Sequence, residues 1–224
     1  MGRMVIFLVS LFLSLACAAQ ERDSVLAVFW NLENFFDHVD QGTGESDTEF
    51  SSMGARHWSK KKFYRKCDNI AKSLLWMQDR YGRMRDVVGF AEIENKGVLY
   101  KLLNTTLLRK YDYEIVHHDS GDRRGIDVAL IYRRSSFRLV SESLKTPAGL
   151  ATRDLLHACL EDPEGRSIHF IVNHHPSKFG GSKESDDRRK AVMSALKQMC
   201  DSLSTVSDAP IVAMGDFNDN PYGP

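Results

Sequence analysis

Groups that can bind a metal ion or a phosphate follow four apolar segments of this 224-residue sequence, at the point where each segment ends. They form four sets: Asn31, Glu33 and Asn34; Glu92, Glu94 and Asn95; Asn173, His174, His175 and Ser177; and Asp216, Asn218, Asp219 and Asn220. If the segment ends converge, they line a cleft with carboxylates, amides and imidazoles, outside a sheet where ligands commonly bind.

These residue types favour hydrolysis of a phosphate ester assisted by a hard divalent cation. Mg²⁺ prefers carboxylate and amide oxygens to thiolates or paired imidazoles. A cation held there would stabilise the charge that develops on a phosphoryl group, and a histidine could position or protonate a phosphate oxygen. Several arginines could hold a phosphate through paired hydrogen bonds: Arg123, Arg124, Arg153, Arg188 and Arg189.

Each of these groups also has a purely structural interpretation when it is taken alone. Asn is common in turns after strands, Glu92 could be a surface carboxylate, and residues 216–221 could form an ordinary turn. Arginine pairs are most often solvated, and His117 and His118 receive no functional role. The recurrence of suitable groups at four segment ends is what favours a site.

The intervening segments predict the strands and helices that would position these groups. Apolar segments at 24–31 and 86–93 have the pattern of strands buried on both faces. Helices are predicted after Ser59, at 97–108 and at 183–203, and a long loop at 40–57. Further strands are predicted at 113–117, 126–132, 137–144, 155–160, 168–173 and 210–215. This order favours a mixed sheet, or two stacked sheets, with helices outside.

The overall composition is that of an ordinary globular protein and identifies no partner. Thirty Lys and Arg residues balance thirty Asp and Glu residues, so phosphate affinity would have to arise from local clusters. One such cluster lies on the polar face of the helix after Ser59, and it is compatible with binding a nucleic-acid backbone or with simple solvation. Its members are Lys60, Lys61, Lys62, Arg65 and Lys66.

The N-terminal residues have the order of an export signal. A positive charge at Arg3 precedes an apolar segment at 5–15, and small residues follow up to Ala19. Because the apolar segment is too short to cross a bilayer as a helix, we predict a signal peptide over residues 1–19. The mature protein would then begin at Gln20, in the periplasm or outside the cell. A lipoprotein acylated at Cys17 and a buried N-terminal helix are the alternatives.

The remaining cysteines do not form a recognisable framework. Without residues 1–19 the chain has Cys67, Cys159 and Cys200, which are widely spaced and contain no Cys-x-x-Cys pair. Cys67 and Cys159 lie in apolar patterns and are predicted to be small core residues. A single disulfide stays open as an alternative in an oxidising compartment.

Taken together, five segments resemble the endonuclease/exonuclease/phosphatase family, the group that includes DNase I and the exonuclease-III-like repair nucleases. In chain order they are residues 29–37 (FWNLENFFD), Glu92 within AEIEN, residues 124–133 (RGIDVALIYR), residues 172–177 (VNHHPS) and residues 215–219 (GDFND). The resemblance extends from about Val25 to the last residue. It implies a four-layer α/β sandwich of two mixed sheets flanked by helices.

The resemblance also implies roles for individual residues. Asn31 and Glu92 match metal-binding positions, and Asp216 matches the residue that orients or activates the attacking water or serves as a second metal ligand. Asn218 matches a contact to the scissile phosphate, and His174 matches a phosphate contact that is a candidate general acid. Weaker matches suggest five substrate-binding candidates: Asn173, Arg124, Asp127, Arg153 and Arg188.

The resemblance departs from the family at the C-terminus. Family members continue to further strands and a closing Ser-Asp-His motif, whereas this sequence ends at Pro224. Its Asp-His pair, Asp37-His38, follows a different strand. We therefore expect the domain at 20–224 to lack the last strands of the fold.

The expected function is that of a monomeric phosphoesterase dependent on Mg²⁺ or Mn²⁺, with no membrane span. Nucleic acid is the first expected substrate, and an inositol phosphate or a phospholipid headgroup is the second. The alternative is a truncated, inactive fragment that binds metal or phosphate without turnover.

Overall fold

The computed structural model describes residues 24–42, 44–178 and 182–220, so the predicted signal peptide lies outside the described residues. Two four-stranded sheets form the centre of the protein. In spatial order the first contains β1 (Ala27–Phe35), β2 (Val87–Ile93), β4 (Asp127–Arg133) and β3 (Tyr113–His117). The second contains β5 (Arg138–Lys145), β6 (Leu155–Glu161), β7 (Ser167–His174) and β8 (Ile211–Asp216).

Both sheets are mixed, and each has one parallel pair. β1 runs parallel to β2, β7 runs parallel to β8, and the other neighbours are antiparallel. The sheets pack face to face through an apolar layer that includes Val87, Leu130, Leu156, Phe170 and Val172. Because parallel strands end at the same edge of a sheet, the ends of β1 and β2 lie together, and so do those of β7 and β8.

Helices cover the outer faces of both sheets. α2 (Lys60–Tyr81) and α3 (Lys96–Thr105) pack on the first sheet, and α4 (Ser182–Val206) packs on the second through residues such as Val192 and Leu196. Ser59 caps α2 by accepting a hydrogen bond from the amide of Lys62 at 3.4 Å. The predicted four-layer α/β sandwich with two mixed sheets is confirmed. Among the described helices, none has the length and apolar character needed to cross a bilayer.

Two predicted segments differ from the structure. The loop predicted at 40–57 contains a short helix, α1 (Glu45–Glu49). Its first amides donate to distant carbonyls, Glu45 N to Arg123 O at 3.0 Å and Ser46 N to Arg124 O at 3.2 Å. A five-residue helix held by such contacts shows no periodicity of its own. The helix predicted at 97–108 ends earlier, at Thr105, and a 3₁₀ helix follows at Leu107–Tyr111.

The cysteines behave largely as the sequence indicates. Cys67 and Cys159 are buried, which confirms their assignment to the core, and Cys200 is partly buried. All three thiols are free in the structure, so it does not contain the disulfide that the sequence left open.

Two buried histidines lie in contact on the face of the second sheet that also packs against α4. His157 Nε2 and His169 Nδ1 are 2.9 Å apart, and the Oγ of Ser143 lies 3.0 Å from His157 Nδ1. Burial, and then the neighbouring His169, lower the pKa of His157 to about 4. Burial also lowers the pKa of His169. The folded protein therefore keeps His157 neutral in mildly acidic solution.

We expect the free energy of unfolding to decrease as the pH falls from about 6.5 to about 4. In this window the unfolded chain binds a proton at His157 with the ordinary pKa near 6.5, whereas the folded protein binds it only near 4. Because the unfolded state then holds more protons, stability declines as the pH decreases, by at most about 1.4 kcal/mol per pH unit for one histidine. Above about pH 6.5, His157 is neutral in both the folded and the unfolded state, and its contribution to the free energy of unfolding no longer changes with pH.

Urea denaturation of His157→Gln between pH 4 and 7.5 checks this expectation. The variant should show a flatter pH profile than the wild type. His118→Gln, at an exposed histidine, serves as the matched control and should keep the wild-type slope. Parallel profiles for the wild type and His157→Gln would show that the pair has no part in acid sensitivity.

Candidate active site

The first sheet departs from regular pairing where its polar side chains lie. β1 and β2 are in register at Asn31 and Ala91 and again at Phe35 and Ile93, so residues 32–34 of β1 oppose Glu92 alone. Glu33, Asn34 and Glu92 have φ values of 52°, 59° and 58°, in a left-handed region that non-glycine residues rarely occupy. Bulges of this kind redirect side chains and are common beside active sites.

This redirected backbone brings side chains from both sheets together. Asn31 Nδ2 donates to Asp216 Oδ2 at 3.0 Å and to Glu92 Oε1 at 3.4 Å. Glu92 Oε2 accepts from the amide of Asn34 at 2.9 Å, and Asp216 Oδ1 accepts from the amide of Asn218 at 2.9 Å. Two carboxylates from opposite sheets therefore share one amide group, and the three residues predicted to bind metal form one cluster.

His174 completes this cluster from the end of β7. Its Nε2 lies 3.8 Å from Glu92 Oε1 and 4.0 Å from Asp216 Oδ2, and its buried Nδ1 has no hydrogen-bond partner among the residues that the structure describes. Burial, followed by the charges of Arg153 and Arg124, lowers the pKa of His174 to about 2. The imidazole is consequently neutral at neutral pH, and its approaches to the two carboxylates are not ion pairs.

Asn173 connects β7, which carries His174, with β8, which carries Asp216. Its side chain is fully buried, and its Nδ2 donates to Met214 O at 3.0 Å. A Cβ at position 215 would overlap the carbonyl and side chain of Asn173, so only glycine fits there. Asn173 therefore lies beside the cluster, where its observed bond supports the strand pair.

Arg153 links the cluster to a neighbouring loop. It is buried, and it donates to Asp122 Oδ2 at 2.9 Å and to His175 O at 3.0 Å. The same carbonyl accepts from Asn218 Nδ2 at 2.9 Å. Burial lowers the pKa of Arg153, and the charge of Asp122 opposes this effect. Sequence patterns do not predict a role for Asp122 or for the His175 carbonyl, because neither a turn aspartate nor a backbone oxygen is distinctive without the fold.

Three further candidates lie outside the cluster. Arg124 is partly exposed, with its Nε 3.8 Å from Asp122, and Arg188 is exposed on α4. The carboxylate of Asp127 accepts from Ser120 N at 3.0 Å and approaches His117 Nε2 at 3.2 Å. Asp127 thus stabilises the preceding turn, which contains Ser120. With His117 and exposed Asp119 it also forms a group close enough to share a cation, although its oxygens are already hydrogen-bonded.

Lys66 supports the candidate site from α2, although the sequence pattern predicts only that it lies on the polar face of that helix. Its Nζ donates to Glu33 O at 2.7 Å and to Asn34 O at 3.2 Å, the two left-handed residues of β1. Burial lowers the pKa of Lys66 to about 8, while the charges of Glu33 and Glu92 oppose the shift. The sequence spacing could have indicated this position, because residue 66 lies three residues after buried Phe63 and four before buried Ile70, next to the buried face of the helix.

Replacing Lys66 by Met is expected to lower the free energy of unfolding by about 1–3 kcal/mol, because two carbonyls in an unfavourable turn lose a charged donor. Urea denaturation with and without Mg²⁺ measures the change. Lys61→Met, at an exposed position of the same helix, should leave stability nearly unchanged. Equal losses in the two variants would mean that Lys66 acts only as a surface cation.

The cluster suits a hard divalent cation. Glu92 and Asp216 supply carboxylate oxygens, the donors that Mg²⁺ and Mn²⁺ prefer, and a cation between them would relieve the repulsion of their like charges. Asn31 directs Nδ2 towards the carboxylates, while its Oδ1 accepts from Glu33 N at 2.9 Å. The amide would therefore have to rotate before its oxygen could join the ligand set.

Comparisons with known proteins identify the family of this chain. The sequence profile of the Endonuclease/Exonuclease/phosphatase family matches residues 26–224. Among curated proteins, none matches the sequence significantly.

Solved structures share the fold at low sequence identity. The human nocturnin catalytic domain with bound sulfate is 22% identical, with a TM-score of 0.52 over 67% of this chain and 57% of its own. The mannosyl-6-phosphatase Bt3783 of Bacteroides thetaiotaomicron is 15% identical, with a TM-score of 0.57 over 87% and 66%. Humanized D. rerio TDP2 is 14% identical, with a TM-score of 0.54 over 88% and 63%. This chain thus spans less than two thirds of each.

Proposed function

We propose that this chain, which belongs to the endonuclease/exonuclease/phosphatase family, hydrolyses phosphate esters with the help of Mg²⁺ or Mn²⁺. The observation that carries the proposal is the convergence of Glu92 and Asp216, from opposite sheets, on the amide of Asn31. His174 lies within 4.0 Å of both carboxylates. Carboxylates, an amide and a neutral imidazole at one point are suited to binding a cation and a phosphate together.

In this proposal Glu92 and Asp216 would hold the cation, with Asn31 as a further ligand, and the cation would supply charge stabilisation at the phosphoryl oxygens. Asp216 also accepts a proton from, or orients, the water that attacks phosphorus. Asn218 keeps one amide N–H for a phosphate oxygen, because its other interaction is with His175 O. The neutral His174 contributes an N–H donor to a phosphate oxygen.

For the substrate we propose a phosphodiester in nucleic acid first. An inositol phosphate or a phospholipid headgroup is the second candidate, and a phosphate-binding domain without turnover is the third. The basic residues of α2 favour a polyanion, although Lys66 belongs to the turn at β1 rather than to that surface. We propose a monomer as the working state.

Hydrolysis of bis(4-nitrophenyl) phosphate, 4-nitrophenyl phosphate and DNA tests the proposal. Each is assayed with Mg²⁺, with Mn²⁺ and after chelation. We expect turnover of at least one substrate that is lost on chelation and restored by the cation. A thermal melt with and without Mg²⁺ accompanies the assay. Cation-dependent stabilisation without turnover of any substrate would favour a binding domain, and the absence of both would refute the proposal.

Export is a separate proposal that rests on the order of residues 3–19. We propose that the mature protein begins at Gln20 and works in the periplasm or outside the cell. N-terminal sequencing of protein isolated from its native cell tests this. A start at acylated Cys17 would indicate a lipoprotein, and an intact Met1 would exclude cleavage.

A further inference from the structure

A basic cavity of about 710 Å³ lies beside the candidate active site. Its walls are formed by residues 122–124, 149–151 and 176–177 together with two further arginines, Arg153 and Arg188. Asn31, Glu92, His174 and Asp216 do not line it. The cavity is therefore separate from the cluster that would hold the cation.

A shared carbonyl nevertheless connects the cavity with the cluster. His175 O accepts from Arg153, in the cavity wall, at 3.0 Å and from Asn218, beside Asp216, at 2.9 Å. The amide of His175 in turn donates to Asp216 O at 2.8 Å. A group bound in the cavity would therefore lie next to a group bound at the cluster, so that one extended molecule could occupy both.

The cavity has more positive than negative charge. Asp122 is the acidic residue of its lining, and one of its oxygens already accepts from buried Arg153. Arg123 pairs with Glu45 at 3.0 Å, and Arg124 stays 3.8 Å from Asp122. Arg188 forms no ion pair with any residue that the structure describes. Among the described residues, the guanidinium groups of Arg124 and Arg188, both on exposed side chains, thus have no ionic partner closer than 3.8 Å.

The backbone of this wall is held in place by contacts with α1 and with Gly44. The carbonyls of Arg123 and Arg124 accept from the first amides of α1. Gly44 packs so closely on Gly125 that a Cβ at either position would overlap the other's backbone. Arg153 is buried, and within the described part of the chain its Nε has no hydrogen-bond partner. A fixed loop that carries exposed guanidinium groups is suited to paired hydrogen bonds with an anion of tetrahedral shape.

We infer that this cavity binds a second phosphate group of the substrate, one that is not cleaved. The inference rests on the proposed phosphoesterase function and narrows it to substrates with two phosphates. The second phosphate could be the neighbouring phosphate of a nucleic-acid strand or that of a small bisphosphorylated compound. Both present anionic phosphate oxygens to Arg124 and Arg188, from a monoanionic diester in the strand or from a phosphate monoester in the small compound.

The test compares substrates that differ in the second phosphate. Thymidine dinucleotide is compared with its 5′-phosphorylated form, and an inositol monophosphate with an inositol bisphosphate. For the wild type we expect kcat/KM to be about 10- to 100-fold higher with the second phosphate, as for a charge-assisted pair of hydrogen bonds. The pair that shows the larger preference identifies the source of the phosphate.

Arg188→Ala should remove most of this preference, and Arg188→Lys should restore part of it. Lys197→Ala is the matched control, because it removes an exposed cation of α4 that pairs with Asp201 and should leave the preference unchanged. No preference in the wild type, or an Arg188→Ala variant that loses equal activity on both members of a pair, would overturn the inference.

Failure of the proposed hydrolysis is distinguishable from failure of the cavity. If no member of either pair is hydrolysed, the phosphoesterase proposal is wrong. The cavity is then tested by equilibrium binding of the 5′-phosphorylated dinucleotide and of inositol bisphosphate to the wild type and Arg188→Ala. Binding that is weakened about tenfold or more by the substitution supports the cavity, and equal binding refutes it.

Discussion

Glu92→Gln is expected to lower metal-dependent hydrolysis by more than about 100-fold while the protein stays folded. The substitution removes one of the two carboxylates that converge on Asn31. Loss of an outer-sphere partner alone commonly lowers metal affinity or activity about 10- to 100-fold, and a direct ligand should matter more. Folding should survive, because a Gln side-chain oxygen can still accept from the amide of Asn34, as Glu92 does at 2.9 Å.

Calorimetric titration with Mg²⁺, steady-state assays and thermal melts separate these effects. The variant should melt near the wild-type temperature without metal and gain little stability when Mg²⁺ is added. Glu164→Gln changes an exposed carboxylate in the turn between β6 and β7 and serves as the control. Undiminished Mg²⁺ affinity together with undiminished turnover in Glu92→Gln would remove Glu92 from the metal site.

Much of the fold could be predicted because several of its strands, such as β2, β4 and β6, are buried and largely apolar. The segments at 86–93 and 155–160 are nearly continuous apolar sequences, and strands occur there at Val87–Ile93 and Leu155–Glu161. The cleft at the segment ends followed from the same pattern, because polar groups interrupt each apolar segment at one end. Short elements such as α1 were missed, since distant carbonyls rather than local propensity hold them.

The arrangement within the site could not be predicted, because it depends on contacts between distant residues. Asn31 and Asp216 are joined by a hydrogen bond across 185 positions of sequence. No sequence pattern indicates that Glu92 adopts a φ of 58°, since Glu is not a residue that favours this conformation. The sequence identified which residue types gather at the strand ends, whereas the two packed sheets determine which atoms meet.

The residues with left-handed backbone conformations indicate why hydrogen bonds from neighbouring residues are needed to maintain the backbone of the site. Glu33, Asn34, Glu92 and Asn218 all have positive φ values, and such conformations persist only where the surroundings enforce them. Lys66 holds the carbonyls of the first two, and His175 O and Asp216 hold Asn218. The bonds that maintain this backbone also direct the side chains that would contact metal and phosphate.

His174→Ala is expected to lower kcat about 100- to 1000-fold, the usual effect of removing one donor that stabilises developing charge. Because burial and the nearby arginines lower the pKa of His174 to about 2, almost none of the imidazole is protonated near pH 7. The residue should then act through a neutral N–H rather than as an imidazolium acid. His174→Gln retains an N–H at a similar reach and should recover part of the loss.

The pH dependence distinguishes the two roles of His174. Because the pKa of His174 is lowered, nearly all of its imidazole is already neutral well below pH 6. Loss of a proton from His174 should therefore not lower kcat between pH 6 and 8. An imidazolium acid would give the opposite sign, with kcat falling as the pH rises through its pKa. The profiles of the wild type and His174→Gln should therefore share their shape and differ in height. A wild-type decline over this range that is absent in His174→Gln, together with equal activities for the Gln and Ala variants, would establish proton donation and contradict the hydrogen-bonding role.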